Sequence, residues 1–269
     1  MDRVRVGMVG TSWWADGMHL PSLKSHPAAD VVAIAGRDQT PARAMAQKYD
    51  IPQVYADYRV MLAQAKLDAL VVSVPDDLHY PIVMDALDAG LHVLCEKPLA
   101  MDAAQAKVMY EKAEVAGVRH MTYFTWRWRP QIHYVHQLIE HGFVGRVLHC
   151  QLSQIGGYAR GKEYAWRFDA RRANGVLGDL GSHIFDMSRW FVGEITRVNA
   201  RLATVVARQG PGGEPPSQAN DLVSLTVEFE NGAQGILQVS AVAQLGHELH
   251  VALDGTDGSL LLDLSLIHI

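Results

Sequence analysis

An acid, a base and a proline end the short apolar run Leu91-His92-Val93-Leu94-Cys95-Glu96-Lys97-Pro98. A run of this kind after Gly90 reads as a buried parallel strand. Charges on the last residues of such a strand face the ligand crevice beyond the carboxyl ends of the sheet. Pro98 cannot extend the ladder and restrains Lys97 to an extended or turn conformation, which aims its ammonium. The second constellation is Asp179 and His183, spaced i, i+4 on a predicted helix running through Trp190. An acid one turn before a histidine can orient the imidazole or stabilise its cation, leaving a proton acceptor near neutral pH. Both constellations also have plainer readings. Glu96-Lys97 can be a solvated strand end, and Asp179 a helix N-cap ahead of a partly buried, hydrogen-bonded His183.

The elements that must position Lys97 begin at the N-terminus. Val4 to Val9 reads as a strand, followed by Gly10-Thr11-Ser12-Trp13-Trp14-Ala15 and a helical stretch. A dinucleotide turn wants G-x-G-x-x-G/A: a glycine for the tight turn, a second for close approach of the pyrophosphate, and a small third residue for helix packing. Gly10 and Ala15 fill the first and third slots, and Ser12 stands in the second, where its hydroxyl could donate to a phosphate. A second strand, Val31 to Ala35, ends at Gly36-Arg37-Asp38, about 20 residues past the turn, where the ribose-reading residue belongs. Gly36 leaves room for a 2′-phosphate and Arg37 can pair with it, which leans the cofactor toward NADP. Asp38 is the rival acid that would favour NAD. Arg37 also reads as a solvated residue before a helix beginning near Thr40-Pro41, a cap and a first-turn proline. A strand from Ala69 to Val74 runs into Pro75-Asp76-Asp77-Leu78-His79, and helices from Tyr80 to Ala89 and Ala103 to Ala116 flank the Lys97 strand. A further β run spans Arg119 to Thr125. This alternation predicts a doubly wound parallel sheet.

The second half reads differently. Trp126-Arg127-Trp128-Arg129-Pro130 is an interdomain junction, since five residues without a basic neighbourhood do not make a nucleic-acid surface. An amphipathic helix from Ile132 to His141 precedes an alternating strand, Arg146 to Ile155, and a Gly-rich loop, Gly156 to Tyr164. On the Asp179 helix, Leu180, Ile184, Met187 and Phe191 form an apolar stripe, and Asp179, His183, Asp186 and Trp190 line another face. β runs follow at Val198 to Ala207, Leu222 to Phe229, Gln234 to Ala243, Glu248 to Leu253 and Ser259 to Leu264. Asn231-Gly232 is a hairpin turn, and Gly210-Pro211-Gly212-Gly213-Glu214-Pro215-Pro216 a mobile loop. The fold class is therefore α/β plus α+β: an N-terminal Rossmann domain over 1–124, and over 125–269 a domain with a largely antiparallel, open-faced sheet and helices.

Bulk properties restrict the function classes. The 269 residues carry 20% charged side chains and a formal net charge of -5 with dispersed basic residues, which argues against nucleic acid as a partner. No run approaches the roughly 20 apolar residues of a membrane span, and no leader precedes the first strand. Cys95 and Cys150, without a CxxC pair, read as reduced thiols of a cytoplasmic protein. His133 and His136, and His247 and His250, lack the carboxylate or cysteine companions of a metal site and read as surface residues, so no metal is expected.

Gly10-x-Ser12-x-x-Ala15, Pro75-Asp76-x-x-His79, Cys95-Glu96-Lys97-Pro98 and Trp126-Arg127-Trp128-x-Pro130, in that order, resemble the Gfo/Idh/MocA family. That family is named for glucose–fructose oxidoreductase, inositol dehydrogenase and a rhizopine-catabolism protein. The similarity continues through Trp166-Arg167 and Gly178-Asp179-Leu180-Gly181-Ser182-His183 to the strands near residue 260, nearly the whole chain. The resemblance implies an NAD(P)-dependent oxidoreductase acting on a secondary alcohol of a sugar, inositol or related polyol. It implies Lys97, Asp179 and His183 as catalytic residues. Cofactor contacts would come from Gly10, Thr11, Ser12, Trp13, Ala15, Arg37, Asp38, Pro75, His79, Glu96, Lys97 and Arg167, and substrate contacts from Lys97, Arg127, Trp166 and His183. It further implies a homodimer or homotetramer built on the C-terminal sheet. Family members run on past the tail Ser265-Leu266-Ile267-His268-Ile269, so a C-terminally incomplete second domain is expected. Two other readings share the pocket: a cofactor- and sugar-binding sensor without turnover, and an NAD-assisted glycosidase.

Overall fold

The structure, a computed structural model, describes residues 3–210, 212 and 217–263. It divides into two compact units, Met1–Tyr123 and Phe124–Ile269. Pro211, Gly213 to Pro216 of the expected Gly-Pro loop, Leu264 and the tail 265–269 lie outside the described residues.

The first unit is a six-stranded parallel sheet. Its strands are β1 (Val4–Val9), β2 (Ala29–Ala35), β3 (Gln53–Tyr55), β4 (Ala69–Val72), β5 (His92–Glu96) and β6 (His120–Tyr123), in the order β3-β2-β1-β4-β5-β6. That order reverses between β1 and β4, which opens a ligand crevice beyond their carboxyl ends. β1 leads into a π-helical turn, Ala15–His19, and α1 (Leu20–Ser25). The other helices are α2 (Gln39–Lys48), α3 (Tyr58–Gln64), α4 (His79–Asp88) and α5 (Ala103–Ala116). A register shift in β2 keeps the two faces apolar, pairing Val6 with Val31 and Met8 with Ile34 on one face, and Gly7 with Ala33 and Val9 with Ala35 on the other. Two buried clusters result, one built on Met8, Val31 and Ile34 and the other on Leu70, Val72 and Val93.

Helix starts follow carboxylates. Asp38, Asp57 and Asp102 accept from the backbone N–H of Thr40, Arg59 and Gln105. The cap of α2 is thus Asp38, two residues before the expected Thr40, because an ionised carboxylate is the stronger acceptor. β3 and α3 were not anticipated, since three and seven residues are too few to show a period.

The second unit holds α6 (Pro130–Glu140), α7 (Ser182–Phe191) and a sheet of β7 (Val147–Ile155), β8 (Ile195–Ala203), β9 (Leu222–Phe229), β10 (Gln234–Ser240), β11 (His247–Gly255) and β12 (Ser259–Asp263). The order is β12-β11-β7-β10-β9-β8, antiparallel at every pairing except β10 with β7. β8 begins three residues before the expected strand and stops four before its expected end, because Val205 and Val206 give their N–H groups to Asp221 instead of the ladder. Ile184, Met187 and Phe191 of α7 pack with Leu152, Val223, Val227, Leu237 and Val239 in one core, and Leu180 lies at its margin. Among the described residues no helix is long and apolar enough to cross a membrane.

Arg5 and Asp68 fasten three strands of the first unit. Arg5 donates from Nε at 2.9 Å, from Nη2 at 2.6 Å and from its backbone N–H at 2.8 Å to the Asp68 carboxylate. Asp68 returns a backbone bond to Arg5 and accepts one from His92. The Arg5 hydrogen bonds hold the Asp68 pKa down at about 2. Its stabilisation is therefore complete above the unfolded carboxylate value of about 4 and is lost as pH falls toward 2. The pair is more than a third exposed, so screening keeps its contribution small. Asp68→Asn is expected to lower stability slightly at pH 7 and progressively less toward pH 2 in urea titrations. An equal loss across that range contradicts the assignment.

Candidate active site

The expected site residues fall into two groups, one in each unit. In the first, Gly10 turns the chain out of β1 with φ +115°, and a Cβ there would sit 1.9 Å from the Ser73 carbonyl oxygen. Only glycine fits both demands. Ala15 is fully buried, as the small third position requires. Ser12 is exposed, and its Oγ accepts from the Ala15 N–H at 3.3 Å, fastening the turn on itself. Trp13 is 68% exposed and stands edge-on to Trp14. At the tip of β2, a Cβ on Gly36 would meet Thr11 at 2.6 Å, so the two loops touch through that missing side chain. Arg37 and Asp38 are exposed, and Asp38 spends one carboxylate oxygen on the cap of α2 at 2.9 Å. Pro75 is half-buried at the start of a single 3-10 turn, Asp76–Leu78.

Lys97 is half-buried and joined to Pro98 by a cis peptide bond. Its neighbours on both sides are fixed. Glu96 is buried, and its Oε1 accepts from Trp14 Nε1 at 2.6 Å and from His19 Nε2 at 2.8 Å, while Oε2 accepts from the Lys97 backbone N–H at 3.2 Å. His79 is fully buried, with Nδ1 2.8 Å from the Pro98 carbonyl and Nε2 3.0 Å from that of Val74. Burial lowers its pKa, and a neutral ring has one N–H, so it donates to one carbonyl at a time. Glu96 and His79 were both expected at the cofactor. The structure gives their polar atoms to the protein itself, as braces on either side of Lys97. Cys95 is buried, and desolvation pushes its thiol well above the usual range, which makes it inert.

In the second unit a π-helical turn, Leu177–Gly181, precedes α7. It interrupts the straight i, i+4 helix on which Asp179 and His183 were expected to share a face. His183 is 5% exposed and lies flat on Trp126, ring centroids 4.2 Å apart and planes 8° apart, with Phe124 edge-on at 5.8 Å. Asp179 accepts from the Tyr158 hydroxyl at 2.7 Å and lies 3.5 Å from Arg167 Nε, whose guanidinium covers the Trp166 ring. Tyr158 leaves 55% of its surface open, yet its hydroxyl end meets Asp179. Desolvation there, then the carboxylate charge, pushes its pKa above the usual tyrosine range.

Arg127, expected at the substrate, is bound bidentately by Asp186 through Nε and Nη2, each at 2.7 Å, and packs over Trp190. Its planar fork matches the carboxylate, so it braces α7. His136, expected as a surface residue, stacks on Trp190 at 4.0 Å with its side chain 15% exposed, and burial lowers its pKa. No cluster of metal-binding side chains occurs among the described residues.

Sequence reasoning missed Trp14, His19, Arg208, Asn220 and Asp221. Asn220 accepts from the Leu177 N–H through Oδ1 and donates from Nδ2 to the Asn174 carbonyl, bracing the start of the helical segment that carries Asp179 and His183. Arg208 and Asp221 are a buried pair 3.1 Å apart. Arg208 also donates to the Ala159 carbonyl and lies over Phe168, so it ties the Gly156 to Tyr164 loop to the start of β9. A carboxylate just before an alternating strand was the one available signal, and it names no partner.

A parallel sheet with its reversal at a glycine turn is the architecture of a dinucleotide-binding domain, and a second unit of mixed sheet and helices follows it in the chain. The chain belongs to the Gfo/Idh/MocA family: residues 4–124 match the oxidoreductase family, NAD-binding Rossmann fold, and residues 132–261 the GFO/IDH/MocA C-terminal domain. A levoglucosan dehydrogenase of Pseudarthrobacter phenanthrenivorans is 29% identical over 87% of the chain, which spans 64% of that relative's length. A D-xylose 1-dehydrogenase (NADP(+)) of Haloferax volcanii is 33% identical over 72% of the chain and 59% of its own. A levoglucosan dehydrogenase in complex with NADH and L-sorbose superposes with TM-score 0.89 at 28% identity, covering 98% of this chain and 74% of that one.

Removing Arg208 strands the Asp221 carboxylate in the interior. Arg208→Ala is expected to cost about 3–5 kcal/mol in urea unfolding, the scale of a broken buried pair. A cost under about 1 kcal/mol would show the pair to be dispensable.

Proposed function

We propose that this chain is an NAD(P)-dependent dehydrogenase that oxidises a secondary alcohol of a sugar, inositol or related polyol, or runs the reverse reaction. The observation that carries the reading is Lys97: a lysine at the carboxyl end of β5, with its backbone braced on both sides by Glu96 and His79. Its relatives' names point to sugars as the substrate class.

The residues of the first unit fit a dinucleotide. The Gly10 turn lies at the β1/β4 reversal, where backbone can approach a pyrophosphate, and Thr11, Ser12, Trp13, Ala15 and Pro75 surround it in sequence or in the loop after β4. When bound, the nicotinamide supplies the acceptor or donor of hydride. Lys97 donates a hydrogen bond to the reacting oxygen and stabilises alkoxide charge as it develops. His183 takes the hydroxyl proton, or returns it in the reverse direction. Its ring is held flat by Trp126, so it meets the hydroxyl in one plane. Asp179 acts with Tyr158 and Arg167 as a charged, oriented group one π-helical turn before His183. Trp166, stacked under the Arg167 guanidinium, is the further substrate contact the reading assigns.

For the cofactor, the exposed Arg37 beside Gly36 supports NADP, since Asp38 is drawn to its helix cap. Self-association would use the outer face of the second sheet, where Ile236 and Leu261 are 45% and 71% exposed.

A screen of sugars, inositols and aryl glycosides with each cofactor, following nicotinamide absorbance and aglycone release, tests the reading. Oxidation of a polyol supports it. Cofactor binding without turnover, or glycoside cleavage without net oxidation, replaces it. On the identified substrate, His183→Ala is expected to lower kcat by about a hundredfold to ten-thousandfold. An unchanged kcat removes His183 from the proton transfer. Arg37→Asp is expected to weaken NADPH by about tenfold or more, as measured by fluorescence titration, with NADH little affected. Equal losses for both reject the 2′-phosphate contact.

A further inference from the structure

The Glu96 carboxylate is in an unusual position for a strand end. It is 7% exposed, and its Oε1 is shared by two donors from elsewhere in the sequence, Trp14 and His19. Both donors come from the segment that leaves the Gly10 turn. Trp14 precedes the π-helical turn and His19 is its last residue. Extra backbone in that turn rotates His19 inward, where it is 3% exposed and lies against Tyr123 at 5.0 Å. The other carboxylate oxygen accepts from the Lys97 N–H at 3.2 Å, so the side chain of Glu96 folds back over the peptide that carries Lys97. A buried carboxylate that lost one of these donors would have to turn toward another partner, and the Lys97 peptide would turn with it.

We infer that Trp14 and His19 are positioning residues for Lys97, acting through Glu96, so that the glycine turn and the lysine are held as one rigid unit. The inference rests on the reading of Lys97 as the group that meets the reacting oxygen. It assigns a purpose to the π-helical turn: an ordinary α-helical start would not deliver both an indole N–H and an imidazole N–H to one carboxylate oxygen. Fixed donors around Glu96 would hold the Lys97 peptide in one orientation, which is what an electrostatic catalyst requires.

The test needs no turnover. Competitive acetylation of the protein with limiting acetic anhydride, read by peptide mass spectrometry, gives the reactivity of Lys97 relative to Lys107, whose side chain is 73% exposed. Trp14→Phe and His19→Ala are each expected to change that ratio by about threefold or more, the scale of one net hydrogen bond, and His19→Gln, which keeps a donor at the same reach, to restore it. Circular dichroism melting shows which variants are folded, and any one folded loss-of-donor variant decides. A ratio equal to wild type in a folded Trp14→Phe or His19→Ala overturns the inference. Once a substrate is known, kcat should fall by about tenfold in Trp14→Phe with the KM for the alcohol within about twofold. A wild type that oxidises no alcohol would defeat the dehydrogenase reading alone, because the labelling ratio is measured independently of activity.

Discussion

A carboxylate taken out of water must be answered by donors, and Glu96 is answered by Trp14, His19 and the backbone of Lys97. That constraint organises the functional end of the first unit. It draws the segment after β1 onto the end of β5, while His79 draws the loop after β4 onto Pro98. Three adjacent strand ends are thereby joined around one residue. The Lys97 N–H is held by Glu96 and the Pro98 carbonyl by His79, so the backbone on either side of the lysine is tied to buried polar groups.

The second unit solves the same problem with aromatic rings. His183 rests on Trp126 at 4.2 Å, and Arg127, the next residue, grips Asp186 one turn further along α7. Two consecutive residues of the Trp126-Arg127-Trp128 segment thus fix the helix, one by stacking and one by charge. Asn220 and the Arg208–Asp221 pair fix what precedes it, holding the start of the helical segment and the loop that brings Tyr158 to Asp179. Such braces differ in kind from the residues they hold. Trp126, Arg208 and Asp221 are buried and Arg127 and Asn220 partly so, whereas Arg37, Ser12 and Trp13 are exposed.

The sequence made the architecture readable because parallel strands and their helices alternate in hydrophobicity, and because Gly10, Glu96-Lys97-Pro98 and the Asp179–His183 spacing fall at predictable strand and helix ends. What it hid is instructive. The π-helical turns at Ala15–His19 and Leu177–Gly181 break the regular spacing, and each lies beside a proposed functional residue. Nothing in a period of 3.6 residues announces them. The partners of buried charges were equally silent, since Glu96 lies 82 positions from Trp14 and 77 from His19. The resemblance implied Arg127 and His79 as ligand contacts, and it did not reveal the bonds each makes within the protein, Arg127 to Asp186 and His79 to the Pro98 and Val74 carbonyls.

The central claim is that this chain moves a hydrogen from a carbinol carbon to a nicotinamide. A sugar or polyol deuterated at the oxidised carbon, incubated with the protein and oxidised cofactor, tests it most directly when the recovered cofactor is examined by mass spectrometry. The account predicts deuterium in the reduced cofactor and a ketone or lactone in the sugar. Cofactor recovered oxidised and unlabelled from a protein shown to bind both molecules would contradict it.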